Sequence, residues 1–231
     1  MEGLTLPLAR ASLREQVYDI LRDELDSGDL KPGSAIRQDE IARKLGVSRT
    51  PMREALLRLE LEGFIVIKPR SGISVRRLTE QDIRNLYQMI GALEASVLVT
   101  ESEALTDGKI EKMRRHNEEG RAALASDDFD RYYIANLALH DSYLQLSNND
   151  ELVRAVTVMK QRLYDFPRKR TFIKAWELAS VDEHEEIISH LEAGDFSWAA
   201  EIVRDTHWSF EVQKDFIRSY YLDELGAEGR A

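Results

Sequence analysis

IRQDEIARKLGVSRTPMREALLRLELEGFIVIKPRSGISV, residues 36–75, carries the pattern that decides the fold. Residues 38–45 predict a short helix with Ile41, Ala42 and Leu45 inward and Gly46 as its stop. Ser48 or Thr50 can cap the next helix, and Pro51 is tolerated in its first turn, where a missing N–H is not needed. Ala55, Leu56, Leu59 and Leu61 are expected on the buried side, and Gly63 closes the helix. Residues 64–67 and 73–75 read as strands joined by the basic tip 68–72, a β-hairpin. Arg49 and Arg53 stand four apart, so they share one helix face, opposite the leucines.

Working outward, residues 12–27 predict a further helix. Ser12 and Glu15 form a capping box, Leu13, Val17, Ile20, Leu21 and Leu25 form an apolar stripe, and Gly28 ends it before a turn at 31–34. Three helices and a hairpin in this order make a winged helix-turn-helix. The helix after the short turn is then the recognition helix, whose N-terminal residues meet base edges. Arginine presents a planar fork that fits guanine O6 and N7, or a phosphate. Arg49 and Arg53 are placed for that role, and the Ser48 and Thr50 hydroxyls for phosphates. Arg70 and Gly72 at the wing tip can approach the DNA backbone or minor groove. A winged helix used for protein contacts would show the same pattern.

The charge distribution bears on that choice. The 231-residue chain has a net charge of -10, which taken whole argues against a nucleic-acid binder. Residues 1–78 nevertheless sum to +2 and residues 79–231 to -12, and residues 43–77 alone carry +6. A phosphate-facing surface and a solvated helix face both fit such a patch. The absence of cysteine removes disulfides and thiolate metal sites and fits a cytoplasmic protein. No apolar run approaches the roughly 18 residues of a membrane helix, and no signal-peptide pattern opens the chain.

Two domains are expected: 1–77, the winged helix-turn-helix, and 78–231, an all-helical domain. Thr79 to Asp82 is a capping signature, and residues 77–82 are the expected hinge. Helices are predicted at about 79–102, 106–125, 127–147, 149–166, 180–193 and 195–222, an antiparallel bundle of about six. Residues 167–179, with the basic patch Arg168, Lys169 and Arg170, have no clear pattern, and the tail from Leu225 should fray. The fold class is therefore mainly α.

The five histidines all fall in the bundle. His116 sits on a charged face and should be solvated. Asn136 and His140 share a helix face; His184 is expected near the start of the fifth helix and His207 midway along the sixth. His184 and His190 are six apart, so only one can face a common centre. Bundles build metal sites from such inward side chains, although scattered helical histidines are also compatible with no ligand role.

The stretch from about Ser12 to Val75 resembles the DNA-binding domain of GntR-type bacterial transcription regulators, most closely over 36–75, in the run Gly46-Val47-Ser48-Arg49-Thr50-Pro51, then Arg53-Glu54-Ala55-Leu56 and Leu59-Glu60-Leu61-Glu62-Gly63. That resemblance implies DNA contacts at Arg37, Arg49 and Arg53, with Gly72 marking the wing tip. "LALHDSYLQLSNNDEL" at 137–152 and "DEHEEIISHLEAGD" at 182–195, followed by His207, resemble the FCD effector domain of the FadR subgroup. It implies a divalent metal, zinc or nickel, on Asn136, His140, His184 and His207, with His190 outside the set. Two departures stand out: Asn136, whose neutral carboxamide is a weaker ligand, stands in place of the usual aspartate, and Ile90 stands where many relatives have an arginine.

The expectation is a homodimeric, cytoplasmic DNA-binding regulator, a repressor of an inverted-repeat operator. A small carboxylate effector would bind beside the metal. A regulator whose bundle holds a purely organic effector, without metal, is the alternative. A metal-dependent hydrolase is the more remote one, since no His-Glu-x-x-His, no Gly-x-Ser-x-Gly and no placed general base is present. Glu183, Glu185 and Glu186 flank His184 but read as a solvated face.

Overall fold

The computed structural model describes residues 12–164 and 173–222. Contacts divide the chain into two compact units that meet in sequence between Arg77 and Leu78.

The first unit opens with α1 (Leu13–Asp26), whose Ser12–Glu15 capping box forms. Val17, Leu21 and Leu25 are buried, joined by Tyr18, whereas Leu13 and Ile20 remain exposed. The expected stripe is thus narrower and shifted, because 17, 18, 21 and 25 lie within one helix face and 13 and 20 fall at its margins. A two-residue strand β1 (Ala35–Ile36) follows, then α2 (Gln38–Leu45), stopped by Gly46 at φ +67°. Recognition-type helix α3 (Arg49–Leu61) starts at Ser48, which makes no side-chain cap bond. Its buried side is Met52, Ala55, Leu56 and Leu59. Leu61 is 89% exposed, contrary to expectation. Two residues past Leu59 is about 200° of rotation, which carries it to the opposite face.

Strands β2 (Ile65–Lys68) and β3 (Gly72–Val75) form the hairpin, with Ile65 opposite Val75 and Lys68 opposite Gly72. The sheet order is β1-β3-β2, all antiparallel. Strand β1 escaped the sequence reading because two residues show no alternation. Phe64, just outside β2, is fully buried, and the Arg22 guanidinium lies over its ring at 3.8 Å.

The second unit begins with α4 (Glu80–Thr100), held at its start by a Thr79–Asp82 capping box. A 3₁₀ turn (Ser102–Ala104) leads to α5 (Asp107–Ala125), α6 (Phe129–Leu144) and α7 (Asp150–Tyr164). Then come α8 (Lys174–Glu192), α9 (Phe196–Ile202), a π turn (Val203–His207) and α10 (Phe210–Ile217). Helix α5 packs on α6 and α8, and α4 packs on α9 and the π turn.

Two boundaries differ from the sequence reading. Helix α8 starts at Lys174, six residues early, because Ile173 supplies no side-chain cap to announce it. His184 is consequently in mid-helix. The expected helix 195–222 is interrupted at Trp208–Ser209 after the π turn, where Trp208 N–H donates five residues back to Val203 O at 2.9 Å. The break before α8 at Pro167, the basic patch 168–170 and the tail from Leu225 lie outside the described residues.

Candidate DNA interface and metal centre

In the first unit, Arg49 and Arg53 both project from the exposed face of α3. The side chain of Arg49 is 87% exposed and pairs loosely with Asp39 at 3.3 Å. An exposed pair of this kind contributes little and is easily exchanged for a phosphate. Arg37, also exposed, precedes α2 and pairs with Glu40 at 3.2 Å. A groove of about 680 Å³ runs between α2, α3 and the hairpin, lined by Gln38, Arg49, Arg53, Lys68 and Arg70 among others. Because Ser48 makes no side-chain cap bond, its hydroxyl is not spent on the helix end; Ser48 and Thr50 are both exposed. Arg70 has φ +65° and Gly72 φ +92°. The tip is therefore a tight left-handed turn that holds one arginine in a conformation costing roughly 1–2 kcal/mol for a non-glycine residue.

The second unit gathers three histidines from three elements. His140 of α6, His184 of α8 and His207 of the π turn have ring centroids 4.7–5.1 Å apart. Their candidate ligand nitrogens all lie within 4.8 Å of one another, so small side-chain rotations would close them on one ion. All three are buried. The π turn matters here: one extra residue per turn lets consecutive His207 and Trp208 both face inward.

What surrounds the rings fixes their tautomers. His140 Nδ1 lies 3.0 Å from Glu94 Oε2 and 2.8 Å from the Tyr143 hydroxyl. His207 Nδ1 lies 2.8 Å from Glu183 Oε2. In each, Nδ1–H donates to a carboxylate and leaves the Nε2 lone pair free, the arrangement that a carboxylate behind the ring imposes on a metal-binding imidazole. Nε2 of His140 and of His184 are buried without a hydrogen-bond partner among the described residues. So is Oδ1 of Asn136, one turn before His140 on α6. Burial pushes His140 down to about 4, with Lys160 adding to the effect, and drives His184 well below its usual value. Both are neutral near pH 7, the form a metal needs. The donor set thus fits a divalent cation.

Glu94 is the hub of this site. Tyr143 Oη–H and Trp208 Nε1–H donate to its Oε2 at 2.6 and 2.8 Å, and Lys160 pairs with its Oε1. Burial alone would raise its carboxyl, but Lys160 and His140 outweigh burial and hold it well below the usual range. Glu183, in turn, accepts from Gln213 Nε2 at 2.8 Å, and Gln213 Oε1 accepts from Trp176 Nε1 at 2.9 Å.

Sequence reasoning missed Glu94, Lys160 and Trp208, and it placed Glu183 on a solvated face where the structure has it bound to His207. An acid alone in the apolar run 86–99 was the available signal for Glu94. His190 stays apart, beside Asp195 and Trp198. His116 is half-buried near Glu119 rather than solvated. Ile90 is fully buried.

Residues 13–75 match the family described as bacterial regulatory proteins, gntR family, and residues 85–207 match the FCD domain. The chain belongs to the GntR family of transcription regulators, in the FadR-like subgroup with an FCD domain. An uncharacterised HTH-type regulator of Bacillus subtilis (strain 168) is 28% identical over 138 residues, which are 59% of this chain and 62% of that protein. The HTH-type transcriptional repressor RspR of Escherichia coli (strain K12) is 24% identical over 136 residues, 59% of this chain and 60% of its own. Both matches therefore span less than two thirds of the relative. Among solved structures, E. coli McbR/YncC has a TM-score of 0.64 at 20% identity, covering 93% of this chain and 100% of that one. A GntR regulator structure from Rhodococcus sp. RHA1 has a TM-score of 0.61 at 24% identity, covering 93% and 98%. These two share the fold. The GntR regulator described here is a DNA-binding protein with a mainly α architecture, and its buried histidine triad can hold a metal. Among the described residues no helix is long and apolar enough to cross a membrane.

Proposed function

We propose that this GntR regulator is a repressor that binds an inverted-repeat operator as a homodimer. Arg49 and Arg53 read base edges in the major groove, Arg37, Ser48 and Thr50 hold the phosphate backbone, and Arg70 with Gly72 brings the wing to the duplex. The exposure of both α3 arginines above a basic groove supports this. The expected domain division follows: residues 1–77 bind DNA, and residues 78–231 bind the effector and dimerise.

In the bundle, His140, His184 and His207, with Asn136, hold zinc or nickel, and a small organic acid binds beside it. Such an ion, when bound, acts as a Lewis acid with open positions for a carboxylate. Glu94 and Glu183 orient the imidazoles, and burial keeps them unprotonated. The observation that carries this reading is the pair of rings whose Nδ1 atoms are tied to carboxylates around a common centre. Metal analysis of untagged protein tests it. One equivalent of zinc or nickel is expected in the wild type and none in the His140→Ala, His184→Ala double variant. Full metal content in the double variant would reject the site.

A further inference from the structure

The basic stretch 43–77 also holds three acids, Glu54, Glu60 and Glu62. A carboxylate left free beside Arg53 would repel the phosphates that the groove attracts. Two of the three are spent on bonds within the first unit instead. Glu62, at the end of α3, accepts from the Tyr18 hydroxyl of α1 and from Arg58 Nε. Glu60 reaches the other way: its Oε1 accepts from the backbone N–H of Ile67, in β2, at 2.9 Å.

Strand β2 is an edge of the sheet β1-β3-β2. Phe64 O accepts from Arg76 N–H at 2.8 Å, so in the antiparallel alternation residues 64, 66 and 68 bond across the hairpin. Residues 65 and 67 then turn their N–H groups outward. Ile67 is thus an edge donor, one residue before the turn that presents Arg70. A hairpin of two short strands is marginal on its own. Here β1 pairs with β3 at Ile73 and Ser74, and Glu60 holds β2 from the opposite edge. Glu60 also follows Arg53 by seven residues, which brings it within about 20° of the same direction on α3. Arg53 and Leu57 line the groove that Ile67, Lys68 and Arg70 line from the hairpin. One helix face therefore carries Arg53 and, two turns on, ties down the strand that leads to the wing tip.

We infer that Glu60 is a positioning residue for DNA binding: its bond to the Ile67 N–H fixes the wing against the recognition helix, so that Arg70 and the α3 arginines meet one duplex together. This inference rests on the reading of Arg70 as a DNA contact. The test is a set of double-variant cycles on the full-length protein, read by fluorescence anisotropy on a duplex selected from a random pool by the wild type. Arg70→Ala should weaken wild-type binding at least about threefold and flatten the log–log salt slope by about 0.9, the share of one phosphate. Glu60→Leu removes the acceptor. Ile67→Pro removes the donor, at an outward-facing edge position where proline is tolerated. In either background Arg70→Ala should have almost no further effect, because the wing has already lost its register with α3. Glu60→Gln loses the charge but keeps an acceptor oxygen, so the full Arg70→Ala cost should return there; its absence would assign the effect to charge and overturn the inference. An unchanged Arg70→Ala cost in Glu60→Leu or Ile67→Pro, with melting curves showing folded protein, overturns it as well and leaves the Arg70 contact standing. No effect of Arg70→Ala on the wild type overturns that contact, and the inference with it.

Discussion

Glu94 stands in the run Gly91-Ala92-Leu93-Glu94-Ala95, where every neighbour is small or apolar, and it is fully buried. A carboxylate there is tolerable only because Lys160, His140, Tyr143 and Trp208 surround it. Glu94→Ala leaves the Lys160 ammonium buried and unmatched, so it should destabilise the second unit by about 3–5 kcal/mol in urea unfolding. Glu94→Gln combined with Lys160→Met should recover part of that loss. The histidines give a pH signature of the metal-free protein. Folded His140 titrates at about 4 and His184 well below its ordinary value of 6.5, whereas both take up protons near 6.5 when unfolded. Below 6.5 the unfolded chain thus binds protons that the fold refuses. Stability should be flat above that pH and fall as pH drops from about 6.5 towards 4. Urea midpoints across this range would show it, and the decline should be shallower in the double histidine variant.

At the scale of elements, the π turn is the device on which the site depends. It brings His207 to the triad and Trp208 to Glu94 in successive residues. Helix α4 must approach it closely: a Cβ on Gly91 would meet Trp208 Cβ at 2.8 Å and the Arg204 backbone at 3.4 Å. Gly91→Ala should therefore push α4 off the π turn and cost about 1–3 kcal/mol, as overpacked cores do. Urea denaturation would measure the cost, and metal affinity should weaken alongside it because His207 moves with the turn. Most helices were legible from caps and periodicity: Ser12 with Glu15, Thr79 with Asp82, and Gly46 all punctuate as the sequence indicates. The π turn was not, since no glycine or proline marks the inserted residue within residues 203–208. Nor was the start of α8, which lacks a capping side chain.

For the whole molecule, the charge asymmetry is the property that acts at a distance. A chain of net charge -10 that binds DNA must do so through its local basic surface. Operator affinity should fall steeply with salt, log–log, by about 0.9 for each phosphate neutralised. Gel-shift titrations over a range of salt would reveal a flat response if residues 43–77 do not face phosphates. Arg49→Ala or Arg53→Ala should cost about 1–3 kcal/mol of operator-specific binding, with a smaller change on unrelated DNA.

By itself the sequence determined the winged helix, because its signals are local: caps, glycine stops, a hairpin and the α3 arginines all lie within residues 12–75. It also supplied the histidines, whose helical spacing can be counted. Tertiary structure alone decided that His140, His184 and His207 converge and that Glu94, Lys160, Glu183 and Trp208 surround them. These partners are separated by up to 114 residues and come from different elements. Such contacts are set by how helices pack against one another, and no periodicity within a single helix encodes which distant side chain will complete a buried charge.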